Sequence, residues 1–167
     1  MCSNAGFQAR LEEGKRYESY VCEYLKDHGI DAVCPEDTSQ TIQEFTRTNQ
    51  DVLLGDGKVL EVKSRRSTCV FTGPEDFPYD TVFVDTTRGW ERKDVKPFAY
   101  VIVSQDTGAM VWIDGSTRDQ WGEEKIYDKY LGYPSRTLTA DKGLLKPIDE
   151  LVEILTPPKR RNRRKGR

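Results

Sequence analysis

The sequence predicts an α/β fold, a sheet with satellite helices, on three observations. Tyr17, Tyr20, Val21, Tyr24 and Leu25 recur at helical spacing and form one apolar stripe. The run from Asp51 to Lys63 reads as strand, tight turn and strand. Phe98 to Ser104 and Ala109 to Ile113 are rich in β-branched and aromatic residues and flank a turn at Gln105 to Gly108, which makes a second hairpin.

The first helix runs from Gly14 to Gly29, a glycine stop being a favoured C-terminal end. Glu18 lies on the flank of its stripe, in line with Gly14, Cys22 and Leu25. A carboxylate there is either half-buried with a partner or a surface residue whose head reaches water. His28, the sole histidine, sits at the helix end in an exposed capping position. In the hairpin that follows, Asp56-Gly57 points to a tight primed turn, because glycine accepts positive φ freely. Side chains alternate along a strand, so Glu61 and Lys63 share one face while Leu60 and Val62 take the other. Folding the hairpin back brings Asp51 towards Glu61.

Residues 64 to 97 show no helical periodicity, and within them Thr81 to Asp85 is strand-like. Thr86 to Lys93 reads as a polar loop in which Arg88, Arg92 and Lys93 surround Trp90. Such a set can stack on a base or clamp a phosphate backbone, and it can equally close over a sheet edge. Trp121, Tyr127, Tyr130 and Tyr133 are expected as packing groups of the second half. Ile148, Leu151, Val152 and Leu155 fit a short amphipathic helix, with Pro147 suited to its first turn.

Two acidic residues and a lysine at one strand end are the parts of a divalent-metal phosphodiesterase site. A hard cation such as Mg²⁺ takes carboxylate oxygens together with water and phosphate. It polarises the phosphate and acidifies water, while an adjacent ammonium offsets the negative charge that builds during attack. The same residues also suit an ordinary amphipathic hairpin with a salt bridge on its wet face. Glu18, directly upstream, is the natural third acid of a metal site.

The order G-x3-E in a first helix, then D, then E-x-K across a hairpin resembles the PD-(D/E)XK nuclease superfamily. From Gly14 to Arg66 the chain looks most like archaeal-type Holliday-junction resolvases and small phage or prophage nucleases, with Gln50 where the name-giving proline would stand. The resemblance implies a restriction-endonuclease-like core, a mixed β-sheet flanked by helices with the site at the strand ends. It implies that Asp51 and Glu61 bind Mg²⁺, replaceable by Mn²⁺, with the Val62 carbonyl as an extra ligand. Lys63 would position the attacking water, and Glu18 would take a second metal or act through a water. Arg65 and Arg66 continue the strand as DNA contacts. Products with 5′-phosphate and 3′-hydroxyl ends are implied too, as is a homodimer where two symmetric cuts are made.

The composition points to a soluble, cytoplasmic protein of one domain, residues 1–156, whose compact size suits a phage gene. No apolar run approaches a membrane span, so no membrane partner is expected. Four scattered cysteines without a C-x2-C pair argue against zinc or a disulfide framework. The Gly55-Asp-Gly57 turn lacks the rest of a phosphate loop. Charge is concentrated at the end: Lys159, Arg160, Arg161, Arg163, Arg164, Lys165 and Arg167 leave a body of 19 basic and 28 acidic residues, about −9. Residues 157–167 are therefore expected as an extended, disordered basic arm that tethers an acidic body to DNA, or as a solvated tail docking on that body.

The reading that unites these features is a metal-dependent DNA nuclease, structure-specific for junctions or branched DNA, or else an exonuclease or restriction-type relative. Two other classes remain: a non-catalytic nucleic-acid-binding protein on the same fold, and an interaction protein whose acidic body mimics DNA.

Overall fold

The computed structural model describes residues 4–129 and 131–159, and within the first helix side chains are described from residue 8. It is a mixed α/β structure. A helix α1 (Asn4–Asp27) leads into β1 (Ala32–Val33) and a short helix α2 (Ile42–Thr48). The hairpin β2 (Val52–Leu54) and β3 (Val59–Arg65) comes next, then β4 (Thr81–Thr86) and α3 (Thr87–Arg92). A second hairpin, β5 (Ala99–Ser104) and β6 (Met110–Asp114), is followed by β7 (Gly122–Asp128) and β8 (Tyr133–Asp141). The described chain closes with β9 (Lys146–Pro147) and α4 (Ile148–Leu155).

Six strands form a sheet in the order β1-β2-β3-β5-β6-β9, and β4, β8 and β7 form a second one. The large sheet is mixed: β3 and β5 are parallel, with Glu61 opposite Tyr100 and Lys63 opposite Ile102, and its other pairs are antiparallel. Every residue of β5 is buried, as expected of a central strand covered on both faces. Val101 and Val103 point into one core with Val21 and Leu25 of α1, Trp112 and Leu151 of α4. Tyr100 and Ile102 point the other way, into a second core with Val82 and Val84 of β4, Leu138 of β8, Phe71 and Trp121. The layers are thus helices, large sheet, small sheet.

Several expectations are corrected here. α1 begins some ten residues earlier than glycine-bounded reading allowed. The first hairpin turn is not a two-residue primed turn: Leu54 N bonds Lys58 O across Gly55, Asp56 and Gly57, and only Gly57 has positive φ, +91°. That is a three-residue loop whose last position needs the left-handed region. The stretch read as a loop holds the short helix α3, capped where the Thr86 hydroxyl accepts from Gly89 N at 2.9 Å. Tyr127 and Tyr133 are exposed rather than packed, whereas Trp121 is buried as expected. Tyr130 and the basic positions 160–167 lie outside the described residues. Among the described residues, no helix is long and apolar enough to cross a membrane.

Gly115 is required by close approach. A Cβ there would lie 2.1 Å from the Pro97 carbonyl oxygen, where the Gly115 N–H bonds Phe98 O. Gly115→Ala is expected to destabilise the protein by about 1–3 kcal/mol through this backbone clash, measured by urea unfolding.

Candidate active site

The site grows from an interruption in strand pairing. β2 stops at Val52 opposite Leu60, so the next β3 residue facing that edge, Val62, has no strand partner there. A buried amide needs an acceptor. Asp51, the residue just before β2, supplies it: Oδ2 accepts from Val62 N at 2.8 Å. Residues of a strand present N–H and C=O on the same side, so the Val62 carbonyl leaves β3 on this open edge too. Asn49, the C-terminal cap of α2, donates its side-chain amide to Asp51 Oδ1 at 3.0 Å.

At that edge both faces of the sheet meet. Glu18 arrives from α1, and its carboxyl interacts with Asp51 and feels the charge of Glu61. Glu61 and Lys63 arrive from the opposite face of β3, with Lys63 Nζ 2.9 Å from Glu61 Oε1. Asp51 and Glu61 are 5% and 6% exposed, which is unusual for carboxylates. The four residues singled out as catalytic are therefore brought together.

The structure adds members that the sequence reading did not assign here. Asp85, at the end of β4, lies 3.8 Å from Lys63 Nζ and 3.0 Å from Lys93 Nζ. It also accepts from Tyr100 OH at 2.7 Å and from Thr86 N at 2.8 Å. Lys93, expected on a DNA-facing loop, is turned inward at the C-terminal cap of α3, its side chain 10% exposed. It approaches Glu61 Oε1 at 3.6 Å. Asp85 carried no local signal, since its side-chain partners lie 8, 15 and 22 residues away in sequence.

The electrostatics follow from burial and from an excess of acid. Glu18, Asp51, Glu61 and Asp85 carry four carboxylates against the ammoniums of Lys63 and Lys93. Burial, and next the charge of Glu61, push Asp51 up to about 8, with Lys63 opposing. Glu18 is raised by burial, partly offset by its hydrogen bond to Asp51. Burial alone would lower the Lys63 ammonium, but Glu61, Asp85 and Asp51 hold it above the usual lysine range. For Asp85 burial acts upwards, and the two lysines and Tyr100 outweigh it, holding the carboxyl low. Burial and the neighbouring carboxylates together favour the protonated form of Asp51.

An all-oxygen set with that excess suits a hard divalent cation. Glu18, Asp51 and Glu61 are the residues that would hold one, together with the Val62 carbonyl. In the arrangement seen, Glu61 is engaged by the lysines, and among the described residues no three acidic, histidine or cysteine side chains converge as a ready-made metal cluster. The donor types fit; closure around a cation would require Glu61 to turn.

Beside Glu18 and Asn49, a cleft of about 520 Å³ runs between α1 and α2, lined among others by Lys15, Cys34, Asp37 and Phe45. The remaining basic residues divide. Arg65 is half-buried and donates to the carbonyls of Ser64 and Phe83, so its guanidinium is spent on backbone. Arg66 lies 3.5 Å from Glu13. Arg88, Arg92 and Lys159 are exposed. Trp90 packs edge-on against Trp121 at 5.5 Å and near Tyr100 at 6.4 Å, closing over the second core rather than standing open for a base. His28 Nδ1 meets the Tyr24 carbonyl at 2.7 Å, the end-capping position foreseen for it.

A scan against protein-family models, a search of curated proteins and a search of solved structures each return no match.

Proposed function

We propose that the protein is a metal-dependent deoxyribonuclease of the PD-(D/E)XK type, built on a restriction-endonuclease-like core. One observation carries the reading: Asp51 accepts from Val62 N at the unpaired edge of β3, with Glu18 of α1 beside it and the Glu61–Lys63 pair on the same strand. The parallel β3–β5 pair, the lead-in by antiparallel β2 and the packing of α1 on one face support the same core.

Each residue then has a task. Asp51 and Glu61, with Glu18 beside them, hold the cation, and the Val62 carbonyl adds a neutral oxygen. The chemistry such a cation supplies when bound is polarisation of the scissile phosphate and acidification of water. Lys63, on the same face as Glu61, lends positive charge to the phosphate as negative charge builds on it. Val62 N and Asn49 orient Asp51, fixing which oxygens it offers. The cleft between α1 and α2 leads the strand to this edge, and Arg88, Arg92 and the basic C-terminal stretch hold the DNA backbone. Branched or junction DNA is the substrate class, and a homodimer is the assembly that paired cuts would use.

The test is cleavage of labelled linear, single-stranded, flapped and four-way junction DNA with Mg²⁺, Mn²⁺ or EDTA. Cutting that needs metal and is lost in Lys63→Ala and Asp51→Ala supports the reading, and the preferred substrate names the subclass. Cutting that persists in both variants rules the site out. A second reading, a DNA-binding protein without turnover, is favoured by one feature, the occupation of Glu61 by two lysines. Salt-sensitive binding with no cleavage of any substrate would select it.

The basic stretch makes a separate prediction. Deleting residues 159–167 removes seven cations, so the slope of log affinity against log salt should become shallower by up to about 6. Fluorescence anisotropy across a salt series measures it. An unchanged slope would mean that the arm does not touch DNA.

A further inference from the structure

Glu61 and Asp85 are bridged twice. Lys63 Nζ lies 2.9 Å from Glu61 and 3.8 Å from Asp85, and Lys93 Nζ lies 3.6 Å from Glu61 and 3.0 Å from Asp85. The four charges alternate around a closed ring, and three of the four side chains are at most 10% exposed. Both ammoniums approach the same oxygen of Glu61, Oε1. Asp85 is held on all sides: Tyr100 OH and Lys93 bind Oδ2, while Thr86 N binds Oδ1. Tyr100 is itself fully buried in the second core, so Asp85 is a rigid anchor, whereas Glu61 is held through the two ammoniums.

We propose that Lys93, together with Lys63, is an internal counter-ion of Glu61 when no divalent cation is present, and that Asp85 is the seat to which Lys93 withdraws when one binds. This rests on the reading of Glu61 as a metal ligand. A cation on Glu61 and an ammonium beside the same carboxylate repel strongly in a site from which water is largely excluded. Lys93 is already nearer to Asp85 than to Glu61, and it also donates to the Gly89 carbonyl at 3.4 Å. A small swing therefore clears Glu61 without leaving Lys93 unpaired. Burying an unpaired ammonium would otherwise cost too much for the exchange to occur. Asp85 and Lys93 are positioning residues in this scheme: they set how readily Glu61 turns to metal, and Asp85 keeps Lys63 seated after it has turned.

The scheme assigns opposite signs to two neighbouring substitutions. Lys93→Met keeps the apolar stem and removes the competing charge, so Mn²⁺ should bind about tenfold more tightly. Asp85→Asn removes the anchor and leaves both ammoniums on Glu61, so Mn²⁺ should bind about tenfold more weakly. The double variant should return to within about threefold of the parent, and Lys93→Arg, which keeps the charge, should stay near it. Calorimetric titration of each protein with MnCl₂ in the absence of DNA reads this directly, with circular dichroism and melting as folding checks.

Single variants that shift affinity in the same direction, or a Lys93→Met protein indistinguishable from the parent, would overturn the inference while leaving the metal site intact. A folded parent that binds no Mn²⁺ would overturn the metal reading and this inference with it.

Discussion

Replacing Asp51 with asparagine is expected to abolish metal-dependent cleavage and, at the same time, to stabilise the metal-free protein. The loss follows because Asp51 is the carboxylate at the open edge of β3, and a neutral amide binds a divalent cation poorly. A fall of at least about 10²-fold in turnover is expected, read on the preferred DNA substrate. The gain in stability follows from the proton Asp51 retains. Its carboxyl is raised from 3.8 to about 8 in the folded protein, burial being the main cause. A group raised in this way contributes stability that is complete below about pH 4 and is lost as pH climbs through about 8. The metal-free parent should therefore weaken between pH 5 and pH 8, whereas the asparagine variant, which has no proton to lose, should not share that decline. The gap between them should widen over this interval by about 4 kcal/mol, on the order of 10 °C in Tm. Saturating Mg²⁺ should raise the Tm of the parent and leave the variant unmoved, because only a ligand that binds the folded state stabilises it. Melts at the two pH values, with and without MgCl₂, test all of this. A variant less stable than the parent at pH 8 would mean that Asp51 is ionised and structural.

Lys63→Met is expected to lower kcat by about 10²–10³-fold with little change in KM. Its ammonium stands beside Glu61, where charge on a phosphate would be offset only as the reaction proceeds, so its loss should appear in turnover rather than in binding. The accompanying cost to folding should be modest, about 1–2 kcal/mol, for two reasons. The side chain is 26% exposed, and Lys93 remains to neutralise Glu61 and Asp85. Mn²⁺ binding should be retained or tightened, since a cation has been removed from the neighbourhood of Glu61. A variant that loses metal affinity together with turnover would assign Lys63 a structural role instead. Single-turnover cleavage and calorimetry separate the two outcomes.

The chemistry-bearing core of this site was legible because it is written in short-range pattern. Alternation along β3 places Glu61 and Lys63 on one face whatever the rest of the chain does, and helical spacing puts Glu18 beside the stripe that docks α1. The hairpin returns Asp51 to within reach of β3. The hairpin of β5 and β6 and the amphipathic α4 were legible for the same reason, each being decided by contacts within a dozen residues.

Other features depended on the tertiary structure. β7, Gly-Glu-Glu-Lys-Ile-Tyr-Asp, is almost wholly solvated, and β8 buries only Leu138, Thr139 and Ala140 at its far end, so neither shows the periodicity that marks a strand. Pro134 in β8 further disguises it. The division of strands between two sheets is likewise invisible locally, because β4 pairs with β8 more than fifty residues away.

That second sheet, packed on the far face of β3 and β5, is what carries Asp85 and Lys93 against Glu61. By itself the sequence determined which side chains β3 presents on each face and which acids accompany them, since strand and helix geometry act over a few residues. Only the tertiary structure decided that Glu61 is shared by two lysines and that Asp85 anchors both. Ion pairing among buried charges depends on which distant elements pack together, and no local periodicity encodes it.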